Sequence, residues 1–257
     1  MKRVLIVVAV LVLIPVLVIA GVMVATFTGN QPLVDGAEVP GGARLIKDGY
    51  VSLYVLPAGE REVALVDCGG DVNGAPVLAE LRRRGLGPEA VSAIFLTHGH
   101  ADHIGGCHLF PRAKVFGLVG DRALALGEAR SKGPLPSRLD TPVAVRTAMT
   151  DLLNDGQSVT VGTLTVTAFA VAGHTAGSVS YLANGTLFMG DNATGAADGT
   201  MKAAPWVFSD DVAENRRALE ALGKRVEAEK LEVKAIAFAH SGPLNSVEPL
   251  RAFRAVP

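Results

Sequence analysis

An α/β domain preceded by an N-terminal hydrophobic helix is the fold class this sequence predicts. Three observations carry it. A run of 24 residues without a charge, Val4 to Phe27, follows Met1-Lys2-Arg3. From Tyr50 onward, β-branched-rich runs alternate with amphipathic segments. Five of those runs end on histidine or aspartate, although the whole chain of 257 residues has only six histidines. That length suits one large domain better than two small ones, and no internal repeat is visible.

The elements follow in order. A spanning helix needs about 20 apolar residues, and Pro15 would only kink one in lipid. Residues 1–27 therefore read as a membrane anchor, or as a signal sequence cleaved after Ala20 or Ala25. Either way Lys2 and Arg3 stay inside and the domain is exported, periplasmic or extracellular, and secreted if the segment is cleaved. "TGNQPLVDGAEVPGGA", residues 28–43, reads as a tether, and residues 44–257 as the folded domain. "YVSLYVLP", "REVALVDCGG" and "VSAIFLTH" are strands. "APVLAELRRRGLG" is a helix with Pro76 in its first turn and Gly85 as its stop. "RAKVFGLV" is a strand and "GDRALALGEARSKG" a broken helix. "QSVTVGTLTVTAFAVAGH" makes two strands turning near Gly162. "GSVSYLANGTLFMGDN" makes a hairpin at Asn184-Gly185. "SDDVAENRRALEALGKRVEAEK" is a helix capped by Ser209 or Asp210. "LEVKAIAFAHSGP" is the last strand and "SVEPLRAF" a short closing helix.

Charge excludes one class of partner. With 24 basic and 25 acidic residues and no basic run beyond Arg82-Arg83-Arg84, a solvated helix end, nucleic acid is not a partner. Cys68 and Cys107 lack C-x-x-C spacing, and two small buried residues are the favoured reading, with a single bridge left open. His108 reads as helix surface. Trp206 could line a pocket, join the core or face a membrane.

The chemistry concentrates in "LTHGHADHIGG", Leu96 to Gly106, which holds His98, His100, Asp102 and His103. Asp67, His174, Asp191 and His240 each end another strand-like run, and strand ends converge on one rim of a sheet. His98 and His100 are two apart and project to one side of an extended turn, with Gly99 allowing the bend. Five imidazoles and two carboxylates exceed one tetrahedral zinc but suffice for two ions sharing a bridge. Zn²⁺ is the expected metal, and Fe or Mn also fits these donors.

The ordered set of Asp67, H-x-H-x-D-H at 98–103, His174 in "AGHTAGS", Asp191 in "GDN" and His240 resembles the metallo-β-lactamase superfamily from about Tyr50 to the C-terminus. The resemblance implies a four-layer αβ/βα sandwich with the metals at one edge of its sheets. It implies that His98, His100 and His174 hold metal one, that Asp102, His103 and His240 hold metal two, that Asp191 bridges, and that Asp67 orients a ligand histidine or the loop. Cys68 departs from the pattern, standing where many members have Thr.

The expected activity is hydrolysis of a small ester, thioester, lactone or phosphoester by a metal-bridging hydroxide, with Asp102 as proton shuttle. The residues leave substrate and oligomeric state open. The alternatives are a mononuclear-iron persulfide dioxygenase of the same fold, a true β-lactamase, and a non-catalytic membrane-tethered metal-binding protein. Asp191 argues against the lactamase, since lactamases resembling this fold carry cysteine or serine at that place.

Overall fold

The structure, a computed structural model, describes residues 13–14, 16–18, 20–22 and 24–255. Seven strands form the first sheet in sequence order: β1 (Glu38–Val39), β2 (Ala43–Asp48), β3 (Val51–Pro57), β4 (Val63–Val66), β5 (Val91–Phe95), β6 (Lys114–Leu118) and β7 (Asp151–Leu153). β1 to β4 pair antiparallel, whereas β4 to β7 run parallel. The second sheet joins β8 (Ser158–Val161), β9 (Leu164–Ala170), β10 (Val179–Ala183) and β11 (Thr186–Phe188), with β14 (Ala235–Ala237) parallel to β11 at its edge. β12 (Ala193–Gly195) and β13 (Met201–Ala203) form a small ribbon. The helices are α1 (Ala75–Arg83), α2 (Ala101–Ile104), α3 (Val119–Ala125), α4 (Val212–Ala228) and α5 (Glu248–Arg251).

The period-two alternation of the strands builds the layers. Leu45, Tyr54, Phe95 and Phe116 of the first sheet meet Val166, Tyr181 and Phe188 of the second in the central core. The opposite faces are also apolar. Ile46, Leu53, Leu65 and Ile94 pack under Val77 and Leu81 of α1 and Ile104 of α2. Phe169, Leu187 and Ile236 pack under Leu219, Leu222 and Val226 of α4. Helix, sheet, sheet and helix give the four-layer αβ/βα sandwich.

Several local expectations need correction. Met1 to Val12 of the expected anchor, with Pro15, Ile19 and Met23, lie outside the described residues. Among the described ones no helix is long and apolar enough to cross a membrane, so the N-terminal membrane helix gains no support from them. Residues 28–43 are docked rather than hanging as a tether. Asn30 bridges to Ala196, Gln31 N–H donates to the Gly195 carbonyl, and Gly36 N–H to that of Leu45. The cap of α4 is Asp211, whose side chain accepts from Glu214 N–H. Ser209 and Asp210 are held elsewhere, as described below. Finally, Cys68 and Cys107 form a disulfide. Cys68 N–H donates to the His103 carbonyl and Gly105 N–H to that of Gly69, folding the two segments together until the Cα atoms are 5.2 Å apart.

Candidate metal centre

The strand ends deliver their ionisable residues to one rim, as the sequence pattern predicts. Asp67 follows β4, the histidine-rich turn follows β5, His174 follows β9, Asp191 follows β11 and His240 follows β14. Two glycines are dictated by close approach. A Cβ on Gly99 would lie 2.8 Å from the Ala125 amide nitrogen, so its role is clearance beside α3 more than a sharp bend. Gly190 has φ +55° and sits against the Thr97 side chain, where no Cβ fits. It brings Asp191 into the cluster.

His98 Nε2, His100 Nδ1 and His174 Nε2 form a triangle with edges of 3.0, 3.1 and 3.2 Å. Three nitrogens cannot all hydrogen-bond to one another. Each is either a donor or an acceptor, so at least one pair must be like and repulsive. A tetrahedral ion bound at about 2.0 Å would space its nitrogens by about 3.3 Å, close to what is seen. Next to the triangle, His240 Nε2 lies 3.5 Å from Asp102 Oδ2, and His103 Nε2 lies 3.9 Å from Asp102 Oδ1. Asp191 stands between the groups, with Oδ2 3.6 Å from His174 and 3.1 Å from His240, and Oδ1 3.4 Å from His103. His100 Nε2, His103 Nε2 and Asp191 Oδ1 are buried without a hydrogen-bond partner. The unpartnered His103 Nε2 and Asp191 Oδ1, 3.4 Å apart, fit a site built for a cation. Three groupings could each hold an ion: His98, His100 and His174; Asp102, His103 and His240; and His98, His103 and Asp191, which straddles the first two.

The outward ring nitrogens are held by protein acceptors, which fixes the tautomers. Thr97 Oγ1 donates to Asp67 Oδ2, leaving a lone pair for His98 Nδ1–H at 3.1 Å. Ser209 Oγ donates to the Pro205 carbonyl and accepts from His174 Nδ1–H. His103 Nδ1 pairs with Asp67 at 2.8 Å, and His240 Nδ1–H donates to the Tyr50 carbonyl. His98, His103, His174 and His240 thus present Nε2 inward, the outer-shell arrangement metal-binding histidines need. Asp67 hydrogen-bonds to His103 Nδ1 and accepts from both Thr97 N–H and Thr97 Oγ1, linking that ring to the loop.

Electrostatics divides the cluster. Burial drives His98 well below the ordinary imidazole range and His174 to about 3, and it also lowers His100. Burial opposes charge on His103 and His240 as well, but Asp191 and Asp102, with Asp67 at His103, outweigh it and raise both. For Asp191, burial is outweighed by His240 and His103, which hold it well below the usual carboxylate range.

Asp121 is the functional residue the sequence reading missed. It is buried on α3 beneath the histidine-rich turn. Oδ2 accepts from Gly99 N–H at 2.7 Å and Thr175 Oγ1 at 2.8 Å, and Oδ1 from Gly177 N–H at 2.7 Å. One carboxylate thereby ties together the turn carrying His98 and His100 and the loop carrying His174. His108 is exposed, as expected, and lies outside the cluster. Trp206 is 60% exposed and lines no part of the cavity that opens beside Asp102, Asp191 and His240, although Pro205 and Phe208 beside it do.

Residues 46–240 match the family model of the metallo-beta-lactamase superfamily. The hydroxyacylglutathione hydrolase of Yersinia pestis (strain Pestoides F) is 32% identical over 159 residues, 60% of this chain and 51% of that protein. That of Enterobacter sp. (strain 638) is 31% identical over 149 residues, 56% of this chain and 47% of its own. The chain thus spans about half the length of these curated relatives. Among solved structures, a B3 metallo-beta-lactamase with an active-site glutamic acid superposes with a TM-score of 0.64 at 20% identity, covering 90% of each chain. A metallo-beta-lactamase of Novosphingobium pentaromativorans gives 0.64 at 20%, covering 88% of this chain and 87% of its own.

Proposed function

The chain belongs to the metallo-β-lactamase superfamily, and from that premise we propose that it is a metal-dependent hydrolase, a dinuclear enzyme cleaving a small ester, thioester, lactone or phosphoester. One observation carries the reading: the Asp191 carboxylate, with an unpartnered oxygen, lies between the His98–His100–His174 triangle and the Asp102–His103–His240 group. In this reading His98, His100 and His174 would hold one ion, Asp102, His103 and His240 would hold the other, and Asp191 would be shared between them. Bound there, two such ions, Zn²⁺ by the donor set, would supply a water of lowered pKa and polarise the bond under attack. The protein's own part is orientation and proton handling. Thr97, Ser209, Asp67 and the Tyr50 carbonyl fix the rings. Asp102, 24% exposed and facing the cavity, takes the proton of the attacking water and returns it to the leaving group.

The relatives named for thioester hydrolysis support the acyl-transfer part. The carboxylate of Asp191 offsets charge that a lactam's own carboxylate would need, so β-lactam turnover is expected to be weak. The test is elemental analysis of Zn²⁺-saturated protein followed by an ester, thioester, lactone, phosphoester and penicillin panel. Two ions per chain and cleavage outside the lactams are expected, whereas one ion or none, or penicillin cleavage alone, would sink the reading. A single iron would favour the dioxygenase instead.

The reading also places the domain outside the cytoplasm, anchored through residues 1–27. The charge-free run supports this, as does the Cys68–Cys107 disulfide, since such bonds persist in oxidising compartments. A C-terminal reporter active only in the cytoplasm would refute it.

A further inference from the structure

Beside Asp102, Asp191 and His240 opens a cavity of about 380 Å³, toward the small end of the usual range for ligand sites. Its walls are Phe27, Leu124, Leu135, Leu139, Pro205 and Phe208. Its charged lining is acidic (Asp102, Asp140 and Asp191) apart from the histidines, and no lysine or arginine is among the described residues that line it. The wall is built in place. Lys132 and Gly133 N–H donate to Asp210, Leu135 N–H donates to the Val207 carbonyl, and Phe27 lies 6.2 Å from the Phe208 ring and 5.8 Å from that of His240.

We propose that this cavity takes the hydrocarbon chain of an uncharged acyl ester or thioester, with the acyl carbon at Asp102, Asp191 and His240. The inference rests on the hydrolase reading above and narrows its substrate. Hydrolysis adds water across the acyl bond: the C–O or C–S bond breaks, the water oxygen ends in the carboxylic acid, and a proton goes to the leaving alcohol or thiol. Apolar walls favour methylenes, each of which gains roughly threefold or more on full burial. A terminal carboxylate at the far end of the chain would lose water against these apolar walls, where no described lysine or arginine lines the cavity and Asp140 already pairs with Arg130, so anionic acyl groups are disfavoured.

The test is a series of 4-nitrophenyl esters from acetate to octanoate, with the monoadipate ester as a hexanoate carrying a terminal carboxylate. From acetate to hexanoate, four methylenes, kcat/KM should rise roughly 80-fold or more on full burial, and the monoadipate should lose that gain. Leu139→Ser, at a site 62% exposed and so tolerant of change, and Phe208→Ala should flatten the series, read as a fall in the hexanoate-to-acetate ratio of kcat/KM. A flat series in the wild-type enzyme, or a monoadipate ester as good as hexanoate, overturns the proposal. Binding is read separately from catalysis. Trp206, the single tryptophan, shares a turn with Phe208, so its fluorescence should follow titration with octanamide and not with acetamide. If octanamide binds and the variants weaken it while no ester is cleaved, the chain pocket stands and the hydrolase reading falls. Absence of octanamide binding overturns the pocket whatever the enzyme cleaves.

Discussion

Opening the Cys68–Cys107 bridge is the perturbation whose size follows most directly from the fold. The two cysteines are 39 positions apart. In the chain-entropy account, closing a loop of that length removes about 13 cal/mol/K from the unfolded ensemble, or about 4 kcal/mol at 25 °C. Denaturant sensitivity for a chain this size lies near 2.5 kcal/mol per molar urea, so the midpoint should fall by roughly 1.5 M. The assay is urea unfolding of metal-free protein, oxidised against the Cys68→Ser/Cys107→Ser double variant, followed by tryptophan fluorescence and circular dichroism. A second consequence separates this bond from a remote staple. Cys68 adjoins Asp67, which orients His103, and Cys107 lies just past α2, so the double variant should also bind its second metal ion more weakly. Two free thiols in unreduced, unfolded wild-type protein would refute the bridge. An unchanged midpoint with the bridge proven would refute the magnitude.

Three further outcomes are expected. Near pH 7, burial holds His98 and His174 low and neutral in metal-free protein, whereas Asp191 and Asp102 raise His103 and His240 and favour their protonated forms. The first Zn²⁺ equivalent should therefore release almost no imidazole protons and the second should displace them, measured by calorimetry in buffers of different ionisation enthalpy. Release with the first equivalent instead would contradict that division. Asp191→Asn removes the shared charge and should weaken the second ion and lower turnover more than tenfold, checked by metal content and kcat. Asp121→Asn sets an amide NH2 against a backbone or hydroxyl donor and should destabilise the fold by about 1–3 kcal/mol. It should also weaken metal one roughly 10–100-fold, whereas equal metal affinity in folded protein would make Asp121 merely structural.

What the sequence made legible was local or periodic. The Asn184-Gly185 turn appears with both residues at positive φ, because only such a pair matches the twist of a two-residue hairpin. The seven ligand-type residues could be found because each follows a strand end, where topology alone gathers them. Asp121 carried no such mark: its partners, Gly99, Thr175 and Gly177, are far away in the chain, and a lone acid in a helical segment looks like solvated surface. The disulfide stayed undecided for the same reason, since it depends on backbone contacts between Cys68 and His103. Ser209 and Asp210 each had the chemistry of a cap, and tertiary contacts engaged them first. Strands β7, β12 and β13, three residues each, are too short to show a period, and β2 was passed over because the Gly-rich segment ending at Ala43 obscured its start.

The division of ligands between the sheets bears on how the molecule holds together. His98, His100, Asp102 and His103 come from the first half of the sandwich, and His174, Asp191 and His240 from the second. An ion shared by His98 and His174 would clasp residues 76 positions apart, across the seam between the sheets rather than within one of them. The disulfide, by contrast, fastens only the first half to itself. Chelation should then loosen the seam while each half keeps its own order, so metal-free protein should exchange amide hydrogens fastest where Tyr181 meets Phe95 and slowest beneath α1.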